Sequence, residues 1–164
     1  MLGPTPYVNG SGPIVNAAQS VEVVLDCFAA VEQRDERRQR ELFDPEVEFL
    51  WPPSLGYGER RTAGTGERPG FEEIWDPLQP SDVERRLDPR VVAASDDEVV
   101  VLWQQRGIDA AGTRFECPVL GLYEVRDGRL VRAQMFYFDT TATSDFLNRA
   151  AGPVGRGRQE STSG

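Results

Sequence analysis

GLYEVRDGRLVRAQMFYFD at residues 121–139 is the clearest fold signal in the sequence. Two strand-like segments flank the tetrapeptide RDGR at 126–129. Asp-Gly supplies the positive φ angles that a tight hairpin turn requires, and segments that alternate between inward and outward side chains are typical of strands with one buried face. We therefore predict an antiparallel hairpin with strands at Thr113–Val125 and Leu130–Phe138.

The sequence on either side of this hairpin extends the pattern. Upstream, Leu87–Ala94 and Glu98–Ile108 are two further predicted strands, each followed by a turn signal rich in Asp or Gly. Downstream, residues 139–150 (DTTATSDFLNRA) predict a short helix that is capped near Thr143 or Ser144. The C-terminal half is therefore expected to be a four-stranded meander that ends in a helix.

The N-terminal half begins with a predicted helix. It is expected to run from Ser20, as the N-cap, to about Phe43, with a break at Asp35. Its apolar residues recur at i, i+3, i+4 and i+7, so they form one stripe that the helix must bury. The residues of this stripe are Val24, Cys27, Phe28 and Val31.

Between this helix and the meander the sequence predicts a short strand, a loop and a short helix. PEVEFLW at 45–51 predicts a short strand. Residues 52–70 are too rich in Gly and Pro for a regular element, and a long loop of this kind is often a lid or a binding loop. GFEEIWDPL at 70–78 predicts a short helix that ends at its proline.

Helices followed by an antiparallel sheet indicate an α+β fold rather than α/β. The sheet must curl around the first helix to bury that helix's single stripe, and a sheet curled in this way leaves a conical cavity at one end. A chain of 164 residues suits one such domain. We assign it to residues 18–150, between a flexible N-terminal arm at 1–17 and a disordered tail at 151–164.

Composition narrows the chemistry. The net charge is −9 and the basic residues, all Arg, are scattered, which disfavours nucleic acid because phosphate binding needs clustered cations. Without Lys or His, Schiff-base catalysis and His general bases are excluded, so acid–base work falls to Asp, Glu, Tyr, Cys or water. No apolar run is long enough for a membrane span and no secretory signal is recognisable, so we expect a cytoplasmic protein with no membrane partner.

The cysteine pattern argues against a metal. Cys27 and Cys117 are far apart in the sequence and have no CxxC spacing. A zinc site is therefore not expected, and two buried apolar thiols are the simplest interpretation. We predict no metal and no cofactor.

The order of elements, together with VVLDCFAAVEQRD and ERRQRELFDPEVEFLWPP at 23–53 and the hairpin at 121–139, resembles the SnoaL-like branch of the nuclear transport factor 2-like superfamily. The resemblance covers about residues 18–150 and implies a cone-shaped α+β barrel with an internal cavity. It implies no single activity, because the superfamily contains isomerases, cyclases, dehydratases, epoxide hydrolases and binding proteins.

The catalytic residues of the named activities are missing at the matching positions. Where ketosteroid isomerases have a Tyr and two Asp, this chain has Cys27, Trp51 and Val119. The Asp that limonene epoxide hydrolases carry in the last strand matches Met135 or Phe136, and the His of SnoaL-type cyclases has no counterpart. The resemblance therefore implies a pocket without a ready-made catalytic set.

The resemblance also implies which strand faces turn inward. These faces form a largely apolar wall of the kind that ligand pockets usually have. Trp51 and Trp103 either stack on a ligand near the mouth or pack in the core. Tyr57 lies on a loop that either closes over a ligand or has no specific role. One of Gln104 and Gln105 must face the cavity. The residues expected on the wall are Cys27 of the helix and, on the strands, Cys117, Val119, Gly121, Tyr123, Ala133, Met135 and Tyr137.

Four residues are candidates for acid–base chemistry. Tyr137 could donate to a developing enolate or alkoxide, with a core Tyr bonded to the backbone as the alternative. Asp139 is either a general base or the cap of the following helix. Arg106 and Asp109 flank the turn at 109–112, and they are either a solvated surface pair or an inward clamp for an oxyanion or carboxylate.

These observations leave three functions open. The first and preferred one is a cofactor-independent cyclase, isomerase or dehydratase acting on a polyketide- or terpenoid-like molecule. The second is a non-catalytic protein that binds a small hydrophobic molecule in the same cavity, and the third is a structural partner with a filled cavity. The resemblance also implies a homodimer through the outer sheet face, where Leu120, Leu122 and Phe136 are expected.

Overall fold

A computed structural model of the protein describes residues 16–55, 61–62 and 77–150. Within these ranges the helices are α1 (Ala17–Glu32), α2 (Glu36–Leu42) and α3 (Thr140–Ala150). The strands are β1 (Phe43–Leu50), β2 (Arg61–Thr62), β3 (Arg90–Ala94), β4 (Glu98–Ile108), β5 (Arg114–Arg126) and β6 (Arg129–Tyr137). The α+β class is as predicted. None of the described helices is long and apolar enough to span a membrane.

The strands form one sheet in the order β2-β1-β6-β5-β4-β3. Neighbouring strands are antiparallel except β1 and β6, which pair in parallel with Phe49 beside Ala133 and Leu50 beside Gln134. The sheet is therefore antiparallel, as predicted, except at this junction. β1 comes before the meander in the sequence and β6 ends the meander. A long connection therefore separates the two strands, as two parallel strands require.

Register shifts interrupt three of the strand pairings and explain the curvature of the sheet. Such bulges bend a strand and increase its twist. The bent sheet curves around α1, which contacts β3, β4, β5 and β6. Within the described chain the edge strands β2 and β3 do not pair with each other, so the cone stays open. The shifts lie at Phe43/Glu48, Val91/Ala93 and Glu124/Val125.

The apolar stripe of α1 is the centre of the core, as its periodicity predicted. Val24, Cys27 and Phe28 are at most 6% exposed. The ring of Phe28 makes edge-to-face contacts with Trp103, at 6.0 Å between centroids, and with Tyr123, at 5.4 Å. Such aromatic pairs contribute about 0.5–1.5 kcal/mol beyond the area that they bury. The helix is thereby held against the inner face of the sheet.

The start of α1 differs from the prediction. Asn16, not Ser20, is the N-cap: its side chain accepts from the backbone N–H of Gln19, and the Gln19 side chain accepts from the backbone N–H of Asn16, both at 3.0 Å. This capping box satisfies two donors that a helix start leaves unpaired. Ser20 lies one turn further on, buried, with its hydroxyl donating to the carbonyl of Asp96 at 2.5 Å. That tertiary contact is why Ser20 does not cap.

Other element boundaries are partly as predicted. The break at Asp35 is confirmed, because its carboxylate caps the start of α2. β3 begins at Arg90 rather than Leu87, since the N–H of Leu87 donates to the side chain of Glu32 in α1 at 2.6 Å and takes no part in the ladder. The helix predicted at 70–78 lies largely outside the described residues.

We expect Asn16→Ala to lower the free energy of unfolding by about 1 kcal/mol, because the N–H of Gln19 loses its acceptor. Urea unfolding followed by circular dichroism measures the change. The control is Asn16→Ser, which keeps a capping oxygen and should stay within about 0.5 kcal/mol of the wild type. Equal losses in the two variants would contradict the capping role.

Candidate functional site

The inner face of the sheet is the candidate site, because the register of β4, β5 and β6 brings its aromatic and polar side chains together. Trp103 pairs with Val119, and Val119 pairs in turn with Tyr137. On the next inward pair of β4 and β5, Gln105 lies opposite Cys117. All five residues are at most 7% exposed, so they share one surface from which water is largely excluded.

The side chains that alternation and the family resemblance placed on the wall are buried, as predicted. Its members on β5 and β6 are buried, while the intervening Leu120, Leu122 and Phe136 turn to the outer face. A role for the wall in ligand binding stays a prediction. The buried members are Cys117, Val119, Gly121, Tyr123, Ala133, Met135 and Tyr137.

Tyr137 and Gln105 form the polar pair of this wall. The Tyr137 hydroxyl donates to Gln105 Oε1 at 3.4 Å, and Gln105 Nε2 donates to the backbone carbonyl of Arg106 at 3.2 Å. Gln105 is fully buried, and these bonds offset part of the cost of removing its amide from water. The sequence left Gln104 and Gln105 undecided, although alternation from the inward Trp103 could have identified Gln105.

Tyr123 packs directly over Gly121. A Cβ atom on Gly121 would lie 2.3–2.5 Å from the ring and hydroxyl of Tyr123, which is too close for any side chain. A glycine inside a strand often marks such a close approach. Burial raises the pKa of the Tyr123 hydroxyl, and the neighbouring Trp103 indole opposes part of this rise. Tyr123 therefore stays a neutral phenol.

Trp51 and Cys27, two predicted ligand contacts, are buried in the core. Trp51 stacks on Phe49 with 5.8 Å between ring centroids. Burial raises the pKa of the Cys27 thiol to about 12, with a further rise from the Asp26 carboxylate and an opposing effect of Arg38. Since the thiolate is the reactive form of cysteine, Cys27 is inert near neutral pH.

Asp139 has the capping role that the sequence offered as one of its two alternatives. Its exposed carboxylate accepts from the backbone N–H of Ala142 at 2.8 Å. The helix begins at Thr140, so the predicted caps Thr143 and Ser144 are wrong. Both lie inside the first turns, where the Thr143 hydroxyl donates back to the Asp139 carbonyl at 2.7 Å. The cap holds the Asp139 carboxylate outside the inner wall.

Arg106 and Asp109 also lie away from the wall. Arg106 is on the outer face of β4, where its guanidinium donates to Asp88 at 2.7 Å and to Glu116 at 3.0 Å. It lines a cleft of about 430 Å³ there. Asp109 accepts from the backbone N–H of Thr113 at 2.8 Å and so holds the β4–β5 turn. The predicted inward clamp is therefore not formed, and each residue has a surface role instead.

The polar groups on the inner wall, as far as the structure describes it, carry no charge: they are the phenols of Tyr123 and Tyr137, the amide of Gln105 and the indole of Trp103. The buried carboxylate of Glu84 is bound by Ser81 and Arg114 at the outer cleft. Across the described ranges no cluster of His, Cys, Asp and Glu could hold a metal ion. Tyr57 lies outside the described residues, so its predicted contact with a ligand is not tested.

Known proteins match the chain over most of this domain. Residues 24–133 match the family model described as SnoaL-like domain. No curated protein matches the sequence. Among solved structures the chain is similar to Bal32a from a soil-derived mobile gene cassette, at 19% identity and a TM-score of 0.64, over 80% of this chain and 98% of that one.

Two further structures have the same fold. TerC, co-crystallised with polyporic acid, is 22% identical with a TM-score of 0.59, over 79% of this chain and 98% of its own. A protein described as a candidate SnoaL-like polyketide cyclase from Jannaschia sp. CCS1 is 18% identical with a TM-score of 0.60, over 88% and 99%. Other similar structures are described as NTF2-like proteins from Burkholderia. At sequence identities this low, the similarity shows only that the fold is shared.

We expect Gly121→Ala to destabilise the protein by about 1–3 kcal/mol, because the added methyl displaces the Tyr123 ring from a packed core. Urea unfolding measures the loss. In a Tyr123→Leu background the same change should cost much less, since the smaller side chain no longer covers Gly121. The contact would be refuted by an equal loss in both backgrounds.

Proposed function

The chain belongs to the SnoaL-like domain family of the nuclear transport factor 2-like superfamily, and we propose that it binds a small, largely apolar molecule inside the cone. The observation that carries the proposal is the Tyr137–Gln105 pair, two neutral hydrogen-bonding groups buried in an aromatic and aliphatic wall. Ligand pockets usually combine such a wall with a few polar groups that orient the ligand. The bound molecule then carries an oxygen near this pair.

The same geometry supports binding more strongly than acid–base catalysis. Of the four candidate residues only Tyr137 lies on the inner wall. Asp139 caps a helix, Arg106 forms an ion pair on the outer face, and Asp109 stabilises a turn. A general base must come within hydrogen-bond reach of the proton that it removes, and among the described residues no carboxylate lies on the wall.

A second candidate function is a cofactor-independent isomerase, cyclase or dehydratase acting on a polyketide- or terpenoid-like molecule. Two observations favour it. A buried phenol such as Tyr137 can stabilise an enolate oxygen through a hydrogen bond, and one similar structure is described as a candidate polyketide cyclase. In this version the Tyr137 hydroxyl turns from Gln105 Oε1 to donate to the enolate oxygen, and a bound water serves as the base.

We expect the bicyclic ketone 1-tetralone to bind, and Tyr137→Phe to weaken its binding about 2- to 10-fold, as loss of one neutral hydrogen bond would. Calorimetric titration measures the dissociation constant. Gln105→Leu should weaken binding similarly. Gln104→Leu is the matched control, because the two amides are neighbours on opposite faces of β4, and it should leave binding unchanged. Unaltered binding in both Tyr137→Phe and Gln105→Leu would remove the basis of the proposal.

The same samples distinguish the two functions. In D₂O a catalyst of enolisation exchanges the α-protons of 1-tetralone faster than buffer does, and proton NMR follows the exchange. If the protein is such a catalyst, Tyr137→Phe should slow the exchange by about 100-fold. Binding with no exchange above the buffer rate contradicts the enzyme and supports the binding protein.

We also propose that two copies pair through the outer face of the sheet. Leu120 and Leu122 are half-buried there, and Phe136 and Phe138 are 47% and 68% exposed. A contiguous patch of exposed apolar side chains usually marks an interaction surface. A self-complementary face would bring the same residues of both copies together.

Sedimentation velocity at micromolar concentration should give the mass of a dimer. Phe136→Asp should shift the protein to the monomer, because the new carboxylate would be buried without a partner. The control is Val92→Asp, at a comparably exposed apolar position on β3, which should remain dimeric. A monomeric wild type, or a dimer that survives Phe136→Asp, would overturn this arrangement.

A further inference from the structure

We infer that the proposed dimer has its two-fold axis along β5, and that Arg132 of each copy pairs with Glu98 of the other copy. This arrangement rests on the proposed pairing through the outer face, and it adds the orientation of the second copy and the ion pairs that select it. Three observations support it: the symmetry of the apolar centre of that face, a row of charged residues beside this centre, and a shallow pocket in that row.

The apolar centre of the outer face is symmetric about β5. Leu120 and Leu122 of β5 lie in its middle. Phe136 of β6 is the register partner of Leu120 on one side, and Leu102 of β4 is its partner on the other side. Rotation about an axis along β5 lays the β6 side of one copy over the β4 side of the other, so Phe136 meets the partner's Leu102. Apolar side chains then cover apolar side chains.

A charged row crosses the sheet at one end of this apolar centre. Glu98 of β4 is the register partner of Glu124 of β5, and Glu124 is the partner of Arg132 of β6. Carboxylates directly opposite each other on neighbouring strands repel. Arg126 forms an ion pair with Glu124, whereas among the described residues no cation pairs with Glu98, and the Arg132 guanidinium bonds only the neutral Gln134, at 3.4 Å. The row therefore has an unpaired anion on β4 and an unpaired cation on β6.

Charge decides between two ways of laying one aligned sheet on another. With the axis along β5, the charged row faces the same row of the second copy in reverse order, so Arg132 lies over the partner's Glu98 on both sides of the axis. With the axis across the strands, midway between Leu120 and Leu122, the charged row instead faces the partner's Pro118 and Phe138. Charges buried against apolar side chains without a partner are costly. The axis along β5 is therefore favoured.

The charged row also leaves room for a side chain of the second copy. Its three members line a shallow pocket of about 50 Å³ together with Leu122 and Gln134, a volume that would hold a few water molecules. A guanidinium that enters this pocket meets carboxylates, with which Arg forms strong, often bidentate hydrogen bonds. Because the dimer is symmetric, it contains this contact twice.

The test exchanges the two charges on separate copies of the full-length protein. Arg132→Glu sets two carboxylates against each other at both contacts, and Glu98→Arg sets two guanidinium groups against each other. Each variant alone should therefore dimerise at least about 10-fold more weakly than the wild type. Mixed in equal amounts, the two variants should form a heterodimer, because both contacts again join an Arg to a Glu. Sedimentation velocity measures the dissociation constants, and native mass spectrometry distinguishes the heterodimer from the homodimers by mass.

Recovery on mixing requires a contact between copies, because an ion pair within one chain cannot be restored by adding a second chain. The matched control is Arg37→Glu, which makes the same charge change at an exposed position on α2 and should dimerise like the wild type. Circular dichroism shows whether each variant is folded. If a charge reversal does not fold, Arg132→Gln and Glu98→Gln replace the pair, and each should weaken the dimer about 3-fold or more.

The outcomes separate this arrangement from the proposed dimer. A wild-type dimer whose dissociation constant neither Arg132 nor Glu98 variants change overturns the ion pair and leaves pairing through the outer face intact. Charge-reversed variants that weaken the dimer but form no heterodimer on mixing also overturn it. A monomeric wild type overturns the proposed dimer itself, and the axis along β5 falls with it.

Discussion

The single apolar stripe of α1 must be buried, and this requirement shapes the sheet around it. A helix with one stripe needs apolar partners on one side, and here the sheet supplies them by bending around Phe28, which touches the rings of Trp103 and Tyr123. The bulges in β1, β3 and β6 make this bend possible. Because the sheet is concave, the inward residues of its three long strands converge on one volume.

The polar groups that face this volume are neutral, because charged side chains have structural roles elsewhere. Three acidic side chains have structural roles: Asp139 caps a helix, Asp109 holds a turn and Asp96 accepts from the start of α1. With no Lys or His in the sequence, the wall retains phenols, an amide and an indole. Such groups recognise a neutral molecule by shape and by hydrogen bonds, and they move protons only weakly.

Periodicity predicted the parts of the fold that depend on local pattern. The stripe of α1 and the hairpin at Asp127-Gly128, where both residues have positive φ, could be read from spacing and turn chemistry. Alternation grouped the inward set on β5 and β6, but the family resemblance was needed to choose which face is buried. The predictions that were wrong concern residues whose partners are far away in the sequence. Ser20 could cap a helix, yet the carbonyl of Asp96 takes its hydroxyl, and nothing near Arg106 in sequence indicates the ion pair with Asp88. The glycine at 121 was a usable signal of the close contact with Tyr123.

The position of β6 in the sheet has a consequence for how the chain is made. This strand joins β1 and β2 on one side to the meander of β3, β4 and β5 on the other, although it is the last of the described strands to be synthesised. Until it leaves the ribosome, the two halves of the sheet have no shared neighbour, and the edges of β1 and β5 that it later covers are open to other chains. We therefore expect the nascent domain to complete its sheet only after β6 has emerged, and chaperones that shield strand edges to matter most before that point.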